Sequence, residues 1–229
     1  MHTIALVSRK GGTGKSTLAI GLAVAAMEAG HRVCLLEADP LGTVSNWRRR
    51  RTSVEPTVEV IHDGYMLFHR VQALAHRGIA LTIVDTAGGW SDACTGAIAA
   101  ADLCLIPTRP SPADIDAAAP MLSAVRESGK PFAFVLNLGP QHPPERCGRL
   151  SRQTRDRAED VACAGATRNR AAQRSAGRAR LGLGVTEYTP RGKSAEETHG
   201  LWQWICARLS CASQPGAEAP AHAHVPPPR

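Results

Sequence analysis

Aromatic side chains are scarce in this sequence: four Trp, two Tyr and three Phe make up 4% of its 229 residues. A core built with so few rings must rest on Ala, Val, Leu and Ile, a composition suited to helices packed against a parallel sheet. Long apolar runs are missing as well. The longest, Ile20 to Met27, falls far short of the roughly 20 residues that span a bilayer, so the expectation is a soluble, cytoplasmic protein. Arg9 and Lys10 follow the first apolar run rather than precede it, the reverse of a secretory signal. No C-x-x-C pair occurs among the seven cysteines, and their odd number suggests neither a disulfide framework nor a structural zinc site. Collagen-like and coiled-coil biases are absent.

What is present begins with charge. The formal net charge is +7, and the window from Arg146 to Arg180 holds ten Arg, no Lys and three acids (Asp156, Glu159, Asp160), which carries all of that excess. Such a local field attracts polyanions, DNA above all. A chain of this size hides roughly 70% of its unfolded surface in one domain.

Strand-like and helix-like segments alternate. Thr3 to Ser8, Arg32 to Leu36, Val58 to Ile61, Leu81 to Val84 (ending at Asp85), Leu103 to Ile106 and Phe132 to Leu138 read as strands. Ser16 to Ala29, Ser91 to Ala101, Ala113 to Glu127 and Lys193 to Leu209 read as helices, the last with Leu201, Trp202, Ile205 and Leu209 on one side. Between them, Val161 to Ala164 is a weak strand and Arg168 to Leu181 a helix with little apolar face. Alternation of this kind predicts an α/β fold with a mostly parallel central sheet flanked by helices, one domain over 1–209. The Pro- and Ala-rich stretch 213–229 is expected to be disordered.

In such a sheet, ligands bind beyond the carboxyl ends of the strands. The first of these ends carries Lys10-Gly-Gly-Thr-Gly-Lys-Ser-Thr17. Gly11, Gly12 and Gly14 let the backbone bend closely around an anion, with Thr13 between them. The following helix adds its positive end, Lys15 brings an ammonium to the β- and γ-phosphates, and Ser16 is placed to ligate Mg²⁺ beside Thr17. The standard P-loop pattern needs glycine at position 9, where Arg9 stands. Leu81-Thr-Ile-Val-Asp85 is an apolar run ending in an acid, placed to hold Mg²⁺ through water. Thr86-Ala-Gly-Gly89 then reads as a flexible segment whose glycine N–H could sense a γ-phosphate. The guanine-reading N-K-x-D pattern is absent, which favours ATP over GTP.

The run K-G-G-x-G-K-S-T resembles the deviant Walker A motif of the ParA/MinD family, and the three-layer P-loop NTPase fold is what this resemblance implies. By it, Lys10 would reach across an ATP-sandwich homodimer to the partner subunit's phosphates. Leu35-Leu-Glu-Ala-Asp-Pro-Leu-Gly42 is similar to the family's D-x-D-P-Q-G segment, with Glu37 for the usual first Asp and Leu41 for Gln. Asp39 falls on the position that orients the attacking water. Its other reading is an Asp-Pro turn. Asp85 corresponds to Walker B, and Asn137, in Phe134-Val-Leu-Asn-Leu-Gly-Pro140, to an adenine contact. Ala101 to Pro112 and Leu183 to Lys193 resemble further family segments.

The resemblance implies ATP hydrolysis, ATP-dependent non-specific DNA binding through Arg146 to Arg180, a nucleoid-associated location, and a ParB-like or other stimulating protein. A MinD-like membrane positioner would need an amphipathic C-terminal helix where this tail is Pro-rich. An electron-transfer ATPase would need a second cysteine to match Cys94. A non-hydrolysing nucleotide-dependent adaptor stays open because of Glu37 and the atypical basic stretch.

Overall fold

The computed structural model describes residues 1–109, 111–137 and 182–212. Its centre is a six-stranded sheet of β1 (His2–Ser8), β2 (Val33–Ala38), β3 (Thr57–Val60), β4 (Leu81–Gly88), β5 (Leu103–Thr108) and β6 (Phe132–Leu136). Every pairing is parallel, and the order across the sheet is β3-β2-β4-β1-β5-β6. All six predicted strands are present, within a few residues of their expected ends.

Successive side chains of a strand point to opposite faces, and here both faces are apolar. Ile4, Leu6, Leu35, Ile83, Leu103, Leu105 and Val135 belong to one core, whereas Ala5, Val7, Cys34, Leu36, Val84, Ile106 and Phe134 belong to the other. The first core is covered by α1 (Lys15–Glu28), α2 (Thr43–Arg50) and α7 (Lys193–Ala212); the second by α3 (Met66–His76), α4 (Asp92–Ala100) and α5 (Pro112–Glu127). A short helix, α6 (Val185–Tyr188), precedes α7. Burial on both faces is why each strand reads as a continuous apolar run rather than an alternation.

The closing helix lies where predicted. Leu201, Trp202, Ile205 and Leu209 are buried in the first core, each contributing about 1.5–3 kcal/mol of apolar transfer. They sit over α1, whose own side chains from Leu18 to Ala26 are almost all buried.

Three expectations change. Helices α2 and α3 fill connections that carried no predicted element. β4 does not end at Asp85 but runs to Gly88, because Asp85 and Thr86 pair with Glu37 and Ala38 of β2 and Gly88 pairs with Ser8 of β1. Thr86 to Gly88 is therefore strand rather than a loose segment, and the Thr86 hydroxyl donates to the Leu6 carbonyl at 2.8 Å. The strand at Val161 to Ala164, the helix at Arg168 to Leu181, the basic window Arg146 to Arg180 and the tail 213–229 lie outside the described residues.

Candidate functional site

The carboxyl ends of β1, β2 and β4 are adjacent in the sheet, and the loops leaving them meet around the turn between β1 and α1. Gly12 (φ 73°) and Gly14 (φ 90°) adopt left-handed backbone there, which side-chain-bearing residues enter at a cost. Gly14 caps α1 and has no side chain with which to bond the helix's first amides. Four N–H groups at a helix start lack intrahelical partners, so this end is built to receive an anion. Gly88 of β4 closes the rear of the turn: a Cβ on it would lie 3.0 Å from the Gly11 backbone.

Side chains brace the turn from several directions. Asn137, buried at the end of β6, donates its amide to the Thr13 carbonyl at 3.0 Å. The Arg109 guanidinium donates to the Gly12 carbonyl at 2.8 Å. Ser8 accepts from Lys15 Nζ at 2.8 Å, donates to the Lys10 carbonyl at 3.0 Å, and lies 3.1 Å from the Thr13 hydroxyl. Lys15 is itself 6% exposed. Burial lowers its pKa, and Asp85, Asp39 and Cys94 act against that fall. Lys10 is half-exposed and its ammonium meets the buried Asp114 carboxylate at 2.5 Å. Asp114 stands at the start of α5, where the Ser111 hydroxyl donates to it at 2.6 Å.

The acids differ sharply in circumstance. Glu37 is buried at the end of β2 and accepts from the amides of Val44 (2.6 Å) and Ser45 (3.1 Å) and from the Ser45 hydroxyl. It caps α2 from across the turn. Asp39, two residues on, is part-exposed and accepts from the Leu41 amide at 2.9 Å, so the Asp-Pro turn is real. Asp85 is fully buried, and among the described residues neither of its oxygens has a hydrogen-bond partner. Burial pushes its carboxyl up to about 7. The nearby Ser16 hydroxyl, although outside hydrogen-bonding geometry, and the Lys15 ammonium pull it down, while Asp39 and Glu37 raise it further.

An unpartnered carboxylate in a dry interior costs several kcal/mol unless a cation answers it. Asp85, Ser16 and the glycine turn are a donor set of hard oxygens and main-chain amides, which fits Mg²⁺ and a phosphate chain. Cys94 lies buried in α4, its thiol pushed up to about 11 by burial, with Lys15 opposing. Among the described residues no group of three His, Cys, Asp or Glu side chains could hold a metal by itself, and no helix is long and apolar enough to cross a membrane.

The structure thus brings Lys10, Gly11, Gly12, Thr13, Gly14, Lys15, Ser16, Asp39, Asp85 and Asn137 to one end of the sheet. Thr17 sits a step further along α1, facing α2 in a cleft. Ser8, Arg109 and Asp114 were not legible as site residues. The Lys10 to Asp114 pair spans 104 positions and the Arg109 to Gly12 bond spans 97, so only the fold joins them.

Comparison with known proteins agrees with this geometry. The "Maintenance of carboxysome distribution protein A" of Gloeobacter kilaueensis is 35% identical over 115 residues, covering 50% of this chain and 52% of that protein. "Protein virC1" of Rhizobium radiobacter is 35% identical over 123 residues, covering 52% and 53%. The chain spans about half the length of these two curated relatives. The fold matches that of the septum site-determining protein MinD complexed with Mg-ADP from Pyrococcus horikoshii, with a TM-score of 0.71 over 93% of this chain and 99% of that one at 18% identity. The VirC1 protein family model matches residues 1–128, and on that match, with the deviant phosphate loop in place, the chain belongs to the VirC1 family of ParA/MinD-type P-loop ATPases.

Proposed function

We propose that the chain binds ATP with Mg²⁺, hydrolyses it, and uses the bound nucleotide as a switch for homodimerisation and non-specific DNA binding, in the partition of DNA or the positioning of a cargo. The observation that carries the reading is the orphaned Asp85 carboxylate beneath a glycine turn that two lysines flank. Amides of Gly11 to Gly14 hold the phosphates, and Lys15 moves from Ser8 onto their oxygens. Ser16 and, through water, Asp85 would hold Mg²⁺, which would supply charge neutralisation to the phosphate chain when bound. Asp39, freed from its turn, orients the attacking water. Lys10 leaves Asp114 to reach the phosphates of the partner subunit, and Asn137 stands on the adenine side of the cradle. DNA is held by arginines in the window Arg146 to Arg180, and a ParB-like protein accelerates turnover.

Two assays test this. Phosphate release by wild type and by Asp39→Ala should differ by at least 100-fold, with ATP affinity retained. Gel shifts on random-sequence duplex should show retention with ATP and release with ADP. A non-hydrolysing adaptor is the second reading, favoured by the bond that holds Asp39 to Leu41. It predicts tight ATP binding with equal, negligible turnover in both proteins.

A further inference from the structure

Helix α2 and the residue after it carry Arg48-Arg-Arg-Arg51. The four guanidiniums have separate fates. Arg51 is buried and used internally: its fork holds both Glu187 oxygens at 2.7 and 2.6 Å, it donates to the carbonyls of Gly182 (3.0 Å) and Glu55 (2.5 Å), and it stacks 5.1 Å from the Trp47 ring. Among the described residues Arg48 donates to the carbonyl oxygens of Arg51 and Val54, and Arg49 bonds the Asn46 side chain. Arg49 and Arg50 are exposed. Among the described residues none of Arg48, Arg49 and Arg50 has a carboxylate partner. Two of the acids are engaged elsewhere, Glu187 with Arg51 and Glu28 with Thr186 and His199, and the exposed Glu55 forms no ion pair with any of the three among the described residues.

The helix dipole favours a cation near the C-terminus, and the exposed Arg49 and Arg50 beside the half-buried Arg48 concentrate positive charge there, a local field that favours a polyanion. The helix is also held rigid. Glu37 grips its first turn, and the buried Trp47 donates to the Leu183 carbonyl at 3.3 Å near its last. Arg50, Asn46, Thr43, Thr17 and Tyr188 line a cleft of about 290 Å³ between α1, α2 and α6, where amide and hydroxyl groups stand beside the guanidinium. Gly182 (φ 67°) packs so tightly on the Arg50 to Arg51 peptide that a Cβ would lie 2.3 Å from Arg51 N. In the sequence it follows Arg180 by two positions.

We propose that the Arg48 to Arg50 edge of α2, with the mouth of this cleft, is a contact surface for the phosphate backbone of double-stranded DNA. The inference rests on the DNA-binding part of the proposed function and adds to it a site on the folded core, joined through Glu37 to the strand end that bears Asp39.

The test is fluorescence anisotropy of a random-sequence duplex with the full chain, Mg²⁺ and ATP across a salt series. It compares wild type, the Arg49→Gln/Arg50→Gln double variant and the Arg49→Lys/Arg50→Lys variant. Every phosphate that the protein ceases to neutralise lowers the slope of log affinity on log salt by about 0.9, so the Gln variant is expected to lose about 1.8. Its affinity at low salt should drop at least 10-fold, with ATP affinity and the unfolding midpoint unchanged, and the Lys variant should recover the slope. An unchanged slope and affinity in the Gln variant would overturn the inference and leave the proposed function standing. Loss of binding to anionic vesicles with an unchanged DNA slope would overturn it in favour of a lipid surface. Failure of wild type to bind duplex at all would overturn both.

Discussion

Two carboxylates on adjacent strands, Glu37 and Asp85, are paired in register and both buried, yet one is fully hydrogen-bonded and the other has no hydrogen-bond partner among the described residues. Glu37 spends its oxygens on the start of α2, so Glu37→Ala should cost about 1–2 kcal/mol, the usual loss for a helix cap, read as a fall in the urea midpoint without nucleotide. Asp85 is the opposite case. Replacing a buried carboxyl that has no hydrogen-bond partner by a neutral amide, Asp85→Asn, should raise the midpoint of the nucleotide-free protein above pH 7, where the carboxyl is charged, while abolishing the Mg²⁺-dependent stabilisation by ATP; a lowered midpoint would count against the metal reading. Lys10 is held by a half-exposed ion pair, a class worth at most about 1 kcal/mol, so it can exchange Asp114 for a phosphate. Asp114→Asn is expected to increase the dimer fraction at a given ATP concentration in sedimentation velocity. A decrease would mean that Asp114 positions Lys10 rather than detains it.

At the scale of elements, the strands were legible because burial on both faces forces uninterrupted apolar runs such as Ile4 to Val7 and Leu103 to Ile106. Helices α2 and α3 were not. The cap of α2 comes from Glu37, on another element, and only Val44 and Trp47 of its eight residues are buried, too few to show a period. α3 begins without a side-chain cap. The Arg51 to Glu187 fork that fixes α6 against α2 spans 136 positions, beyond any local pattern. That fork gives a pH signature. Burial alone would raise the Glu187 carboxyl, but the Arg51 bonds and the Gly184 amide outweigh it, and the net shift is downward from 4.5. A depressed carboxyl contributes stability above its unfolded pKa and loses it as pH falls through the folded value. Wild type should therefore lose stability below about pH 4.5 faster than Glu187→Gln, whose stability in urea unfolding at pH 7 should itself be lower by about 3–5 kcal/mol because Arg51 is left buried and unpaired.

For the whole molecule, the order β3-β2-β4-β1-β5-β6 is what turns separate motifs into one site. It sets the ends of β2 and β4 beside the P-loop on one side and the end of β6, with Asn137, on the other. The P-loop and Asp39 were readable because each follows its own strand in a short run, and Asp85 because it closes the apolar run of β4. Their bracing by Ser8, Arg109 and Asp114 was not, because those contacts exist only once the sheet has formed. The same sheet places α2, its arginines and α6 on the face that α1 leaves open. All of this turns on whether the glycine turn receives a triphosphate with its metal. The direct measurement is equilibrium urea unfolding of wild type and Lys15→Ala, each with and without Mg²⁺ and ATP. With ligand at 100 times its dissociation constant, wild type should gain about 2.7 kcal/mol, and Lys15→Ala should gain little or nothing. No shift in wild type, or an equal shift in the two proteins, would contradict the account.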